Sequence, residues 1–353
     1  MRRREFVGIA GGASLAGLAG CTDLIETRSV SSEPPLVENR PTAVYIPTHF
    51  ERMKMPGTAT DGAYRCALTY SFPHRFWLIT GTRREKVTIQ QADSMHLMPL
   101  VWHEQTGIVP PDINPQVAVR RNGEDVTSLS PWPMLSQPMG FHFGDNVQLP
   151  EEGTYQVEVS VGEGSARRTG SLAEAGAAAF EFTMDFSRSK LEDIRVRDLS
   201  QDRQGSKGAV KPMRMEMLPP GQLPKQQDFP GVVRGSGTSG DGKFVVTTLD
   251  DAVRFGGQES DTYLAVSART PYNRYPLPLM SLSATLTRGD ETIYNDILRA
   301  TIDPALRYHY GASVSGVESG DELTISFGAP PQTARHEGYE MAFIDMSSME
   351  LTL

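Results

Sequence analysis

The sequence predicts an all-β protein made of two tandem copies of one sandwich domain, and three observations carry that prediction. From Pro41 onward helical periodicity is scarce, and short β-rich segments alternate apolar and polar residues, the pattern of a strand with one wet face. Gly and Pro separate these segments at short intervals, as sandwiches require. The third observation is a repeat. His96, the turn residue Gly123, His142-Phe143-Gly144, Gly153 and Gly170 follow one another at intervals of 27, 19, 11 and 17 residues. Tyr263, Gly289, His309-Tyr310-Gly311, Gly320 and Gly338 follow at 26, 20, 11 and 18. Four intervals agreeing within one residue mark two copies of one β-domain, a tandem pair rather than a solenoid.

The chain opens with Arg3-Arg4-Glu5-Phe6-Val7, which fits a twin-arginine export pattern, followed by a run of small residues from Val7 to Gly20. That run falls short of the roughly 20 apolar residues a bilayer span needs. It ends in Leu18-Ala19-Gly20-Cys21, which resembles a lipobox, with Cys21 lipidated as the new N-terminus. Ordinary cleavage near Gly20, giving a soluble secreted product, is the alternative. The expected organisation is a lipoprotein signal over 1–20, a polar tether with Pro34-Pro35 over 21–40, and a first sandwich over 41–188. A linker over 189–228 and a second, diverged sandwich over 229–353 complete it. The expected location is extracytoplasmic, anchored to the cell membrane by lipid on Cys21. Net charge is −9, and removal of 1–20, with three Arg and one Glu, takes it to −11. That excludes a basic nucleic-acid surface. Besides Cys21 the chain has only Cys66, so the mature protein forms no intrachain disulfide and Cys66 reads as a buried thiol.

In chain order, strands are expected at Tyr64–Tyr70, Thr154–Val161 and Ala179–Phe186. The first copy carries extra strands, including Phe76–Ile79 and Lys86–Ile89. Ser189-Lys190-Leu191-Glu192 fits a capping box that starts a short helix. In the linker, Met213-Arg214-Met215-Glu216-Met217 puts three thioethers at period two, as an edge strand or a soft-metal relay would. Gly235–Gly240 matches the dinucleotide fingerprint formally, but without a strand before it and a helix after it a loop is expected. Trp77, Trp102 and Trp132 read as core or interface residues. The chain has no nucleophile elbow, no His-Glu-x-x-His and no Cys-x-x-Cys, so catalysis is not expected.

Soft and borderline metal ligands are concentrated: seven histidines and fifteen methionines. On a strand containing Met95-His96-Leu97-Met98, His96 and Met98 share one face, whereas His103 joins them only through a bulge at Pro99. Pro133-Met134 through Met139-Gly140-Phe141-His142 places two thioethers in a Pro/Gly-rich segment ending at an imidazole. Two imidazoles with one or two thioethers suit copper; iron(II) prefers an added carboxylate or water. Met as core filler and His as a turn residue are the alternatives.

Pro133-Met134 through His142-Phe143-Gly144-Asp145-Asn146-Val147, then Gly153-Thr154-Tyr155-Gln156-Val157-Glu158-Val159, resembles the Fe2+ transport protein family. The resemblance covers 41–186 and, more weakly, 241–346. Stretches around Pro73-His74-Arg75-Phe76-Trp77 and Ala334-Arg335-His336-Glu337-Gly338-Tyr339 also resemble lipoproteins of halophilic archaea assigned by analogy to iron transport. The resemblance implies periplasmic, immunoglobulin-like proteins that bind copper or iron through His, Met and a carboxylate. Matched residue by residue, His96 takes the place of the first His, Met98 that of a Glu, Met134 (or Met139) that of the Met, and His142 that of the middle His. The family's final His is missing from the first copy, where Arg168 or Thr169 falls. In the second copy Tyr263 and Ala265 replace His and Glu, while His309 and His336 remain. Family members pair as homodimers, so the resemblance implies an intrachain pseudo-dimer in which His336 completes a site begun by His96, Met98, Met134 and His142. That requires His336 within about 10 Å of His142.

The expected function is therefore binding of a transition metal, Fe2+ or Cu2+/Cu+, in iron uptake with an iron permease as partner. The alternative is a structural or interaction module of the cell envelope whose metal site is vestigial.

Overall fold

The computed structural model describes Thr27–Arg28 and residues 34–353; the expected export signal and Cys21 lie outside the described residues. The fold is all-β, two sandwiches in tandem. In the first half an eight-stranded sheet runs in the order Lys54–Asp61, Tyr64–Ser71, Met95–His103, Gly140–Val147, Trp132–Ser136, Ala334–Arg335, Phe76–Thr80, Arg83–Val87. It shares an apolar core with a four-stranded sheet ordered Ala178–Phe186, Gly153–Val161, Gln116–Arg121, Glu124–Leu129. The second half repeats the plan. Its larger sheet is ordered Arg167–Arg168, Arg299–Asp303, Arg307–Val314, Thr262–Arg269, Gly242–Leu249, Val232–Ser239. Its smaller sheet is ordered Glu291–Ile297, Ser281–Arg288, Glu322–Ala329, Met349–Thr352.

Alternation explains the smaller sheets. Along Ala178–Phe186 burial switches strictly at each residue, sending Phe180, Phe182, Met184 and Phe186 inward. Each such side chain contributes about 1.5–3 kcal/mol. The expected turn at Asn122-Gly123 has positive φ at both residues (53° and 85°), the two-residue hairpin geometry that matches strand twist. Met95–His103 departs from the one-wet-face expectation: all nine residues are buried. Met95, Leu97 and Val101 enter the core from one face, Leu100 and Trp102 join it from the other, and His96 and Met98 on that second face are covered by other parts of the chain.

Two short strands are exchanged between the halves. Ala334–Arg335 pairs in parallel with Met134-Leu135 of the first half. Reciprocally, Arg167–Arg168 pairs in parallel with Thr301-Ile302 of the second. The two pairings are related by one constant offset of 167 residues. A fifth, small sheet joins Thr27–Arg28, Val196–Asp198 and His49–Glu51.

The segments expected as tether and linker lie against the body. Pro34 is buried, Pro35 accepts from the Thr48 hydroxyl, and Arg40 pairs with Glu340 at 3.0 Å. Ile194, Val196, Val210 and Leu223 are buried, and Gln137 accepts from the Val210 N–H. Met213–Met217 is not an edge strand but irregular backbone, pinned where Met213 donates to the Pro138 carbonyl. Gly235–Gly240 is not a loop: Val232–Ser239 pairs with Gly242–Leu249 through a bulge after Val233. The short helix is Arg188–Glu192, capped by Ser187 rather than started at Ser189. Trp77 and Trp102 are buried, but Trp132 is exposed, against expectation. Cys66 is fully buried, and burial pushes its thiol pKa up. No helix among the described residues is long and apolar enough to cross a membrane.

Candidate metal centre

Four imidazoles meet on the buried outer face of Met95–His103. His96 lies on that strand and His142 on Gly140–Val147, which pairs with it. His336 arrives on the exchanged segment, its N–H donating to the Leu135 carbonyl, and His74 comes from the turn before Phe76–Thr80. Ring centroids stand 3.9 Å apart for His74–His96, 4.7 Å for His74–His336, and 5.3 Å for His142–His336. Ligand nitrogens of His74, His96 and His336 all lie within 4.8 Å of one another. Two thioethers join them. A methyl group built on Gly144 would lie 2.6 Å from His96 Nε2, 3.2 Å from Met98 Cγ and 3.3 Å from Met134 Sδ. Glycine is required there because a side chain would run into His96, Met98 and Met134.

The other ring nitrogens are held. Asn146 Oδ1 accepts from the His74 N–H while its Nδ2 donates to the His74 carbonyl, so the amide has one orientation. His96 Nδ1, 2.9 Å from that Oδ1, must therefore carry a proton. His142 Nδ1 donates to the Gly140 carbonyl at 3.1 Å. His74 Nδ1 lies 3.0 Å from the Phe72 carbonyl and 3.3 Å from the Glu51 carboxylate. Protons on Nδ1 leave the Nε2 lone pairs of these three rings free, the way metal-ligating histidines are oriented. The Nε2 atoms of His74, His96, His142 and His336 are all buried without a hydrogen-bond partner. Such orphans are rare in folded proteins and call for an unseen ligand. Burial lowers the pKa of His142 to about 4 and those of His96 and His336 well below the ordinary value, aided by neighbouring imidazoles. These rings are neutral donors at pH 7.

A cavity of about 130 Å³ adjoins the cluster, walled by Met53, Met98, Met139, His74, His336 and the carboxylates Glu51 and Glu337. Burial opposes charge on Glu51, but His74, His49 and the Ser71 hydroxyl together hold its pKa below the ordinary value. Burial raises that of Glu337 against the pull of Arg75, 3.1 Å away.

The equivalent point in the second half is closed. His309 Nε2 lies 3.0 Å from the Tyr263 hydroxyl, and its Nδ1 donates to the Arg307 carbonyl. Thr301 stands in place of Met134 and Thr169 in place of His336, the latter donating to Asp303 at 2.6 Å. Phe255 stacks on Tyr263 with ring centroids 3.7 Å apart. The polar groups there satisfy one another.

Of the residues singled out from sequence, His96, Met98, Met134, His142 and His336 come together, with His142 and His336 well inside the expected separation. Met139 lines the adjoining cavity instead. His103 stays apart: the register between Tyr64–Ser71 and Met95–His103 is unbroken at Pro99, and His103 Nδ1 bonds Thr106 on the other face. His309 is occupied by Tyr263. Sequence reasoning missed His74 as a donor and Glu51 and Asn146 as its supports. Only the quoted Pro73-His74-Arg75 stretch pointed that way.

A family model for a domain of unknown function (DUF7350) matches residues 227–352. Comparison with curated protein sequences gives no match. Among solved structures, 'as isolated' FetP of uropathogenic E. coli strain F11, recombinantly expressed in the periplasm of E. coli BL21(DE3), aligns with 17% identity and a TM-score of 0.29. That alignment covers 38% of this chain and 96% of FetP. A copper-bound single-residue variant of that FetP aligns with 16% identity and a TM-score of 0.28, covering 38% of this chain and 97% of the variant. Likenesses of this size leave the reading of the site to its own geometry.

Proposed function

We propose that this protein is a lipid-anchored extracytoplasmic lipoprotein that binds one transition-metal ion, iron or copper, for uptake by a membrane permease, without catalysis of its own. One observation carries the metal reading: four imidazoles in ring contact each carry a buried Nε2 without a partner, beside Met98 and Met134. Neutral imidazole and thioether favour copper among first-row ions, and the carboxylates on the cavity wall leave iron(II) a place. Export and anchoring rest on the Arg3-Arg4 pattern and on Cys21. The two halves act as an intrachain pseudo-dimer, in which the second completes the site of the first through His336.

The test uses the full chain, because residues 41–188 alone lack His336. Calorimetric titration with Cu+, Cu2+ and Fe2+ should give about one equivalent of at least one ion, with donors from four rings in one coordination sphere. His96→Ala with His142→Ala should abolish it while near-ultraviolet circular dichroism stays native. A parent chain that binds none of the three ions sinks the metal reading and leaves an envelope interaction module in its place.

A further inference from the structure

We propose that Met217, Met215, Met213 and Met53 form a thioether-lined entry route that passes monovalent copper from the surface to the buried imidazoles; this rests on the metal-binding reading above. The cavity beside the imidazoles is walled by Met53, Pro138 and Met139, and these same residues also wall a smaller cavity of about 20 Å³. The smaller cavity is completed by Met213 and Met215 from the proline-rich segment, with Leu100 at its floor. Leu100 and Met98 share one face of Met95–His103, so the two cavities follow one side of a single strand. Exposure falls along the series: Met217 is 48% exposed, Met215, Met213 and Met53 are half-buried, and Met98 is 2% exposed.

Core packing does not account for these methionines. Met95, Met184 and Met349 are buried in the main apolar core, with Met55, Met280 and Met346 packed at its edge. None of Met53, Met98, Met213, Met215 or Met217 belongs to that core. Met53 and Met98 wall the cavity beside the unpartnered nitrogens, Met213 and Met215 wall the smaller one next to it, and Met217 stands exposed two residues along the chain from Met215. Thioethers are soft, uncharged donors that hold Cu+ and bind hard divalent ions poorly, so the route selects oxidation state. Arg52 and Arg75 offset Glu51 and Glu337 along the wall, so the soft donors rather than a net charge set the preference of the route. No electron moves in this scheme; the ion exchanges one thioether for the next and ends on nitrogen.

The test is anaerobic loading of the full chain from a coloured bicinchoninate–Cu+ complex, followed by stopped flow. A Met53→Leu, Met213→Leu, Met215→Leu variant keeps side-chain volume and apolarity. It should load roughly tenfold more slowly than the parent and reach the same stoichiometry and final affinity. Equal rates with an intact endpoint overturn the route while leaving the imidazole site standing. A lost endpoint in the variant makes these sulfurs ligands of the final site and overturns the route as well. A parent that takes up no Cu+ overturns the route, and one that also binds neither Cu2+ nor Fe2+ overturns the metal reading with it.

Discussion

Asn146 holds two of the four imidazoles at once. Its amide clamps the backbone of His74 from both sides and fixes the tautomer of His96. Neither ring needs Asn146 for burial, so its removal should act on orientation. Asn146→Ala is expected to lower metal affinity by about 10–100-fold with stoichiometry unchanged, as loss of a ligand's outer partner does; unchanged affinity in a competition titration would refute the role. Gly144 makes the complementary case. A methyl group there would stand against His96 Nε2, Met98 and Met134 together. Gly144→Ala should abolish binding at a cost of about 1–3 kcal/mol in denaturant unfolding, typical of overpacking. Strand parity alone brought His96 and Met98 to one face, and the His-x-Gly repeat marked His142. His74 escaped because it lies in a turn with no period, and its approach to His96 is fixed by Asn146, seventy-two positions further along the chain.

The shortest elements decide the most. Ala334–Arg335 and Arg167–Arg168 are each two residues long, too short to show any alternation, yet they cross between halves. Long alternating strands could be read from sequence because side-chain period carries the signal. The exchange could not, since it depends on which sheet edge lies nearest, and pairing likewise turned Gly235–Gly240 into a strand. Arg335 keeps the crossing segment in place: its buried guanidinium donates to the carbonyls of Pro331, Ala342 and Phe343. Burial depresses its pKa to about 9, still charged at neutral pH. Arg335→Met leaves those carbonyls unpaired and frees the segment that carries His336. A loss of about 2–4 kcal/mol in denaturant unfolding is expected, with metal affinity falling alongside. Loss of stability with full affinity would separate His336 from this anchor.

Across the whole molecule the constant offset of 167 residues sets an open cluster in one half against a closed one in the other. Where the first half leaves nitrogens unpaired, the second fills the same positions with Tyr263, Thr301 and Thr169. His309 is what remains of the imidazole set there, and it offers a measure of stability free of any bound ion. Its pKa is lowered from 6.5 to about 4, first by burial, with the Arg307 carbonyl and Asp303 opposing. The unfolded chain therefore takes up a proton below pH 6.5 that the folded chain refuses until about pH 4. The neutral ring's full contribution is present above the unfolded value and declines as pH falls through this window, by about 1.4 kcal/mol per pH unit. His309→Gln removes that one proton from the balance. Denaturant unfolding of the metal-free full chain at about pH 7 and about pH 5 should then show a smaller acid loss in the variant than in the parent. Parallel losses would mean that His309 is protonated in the folded state, and that the hydrogen bond from Tyr263 to its Nε2 does not form.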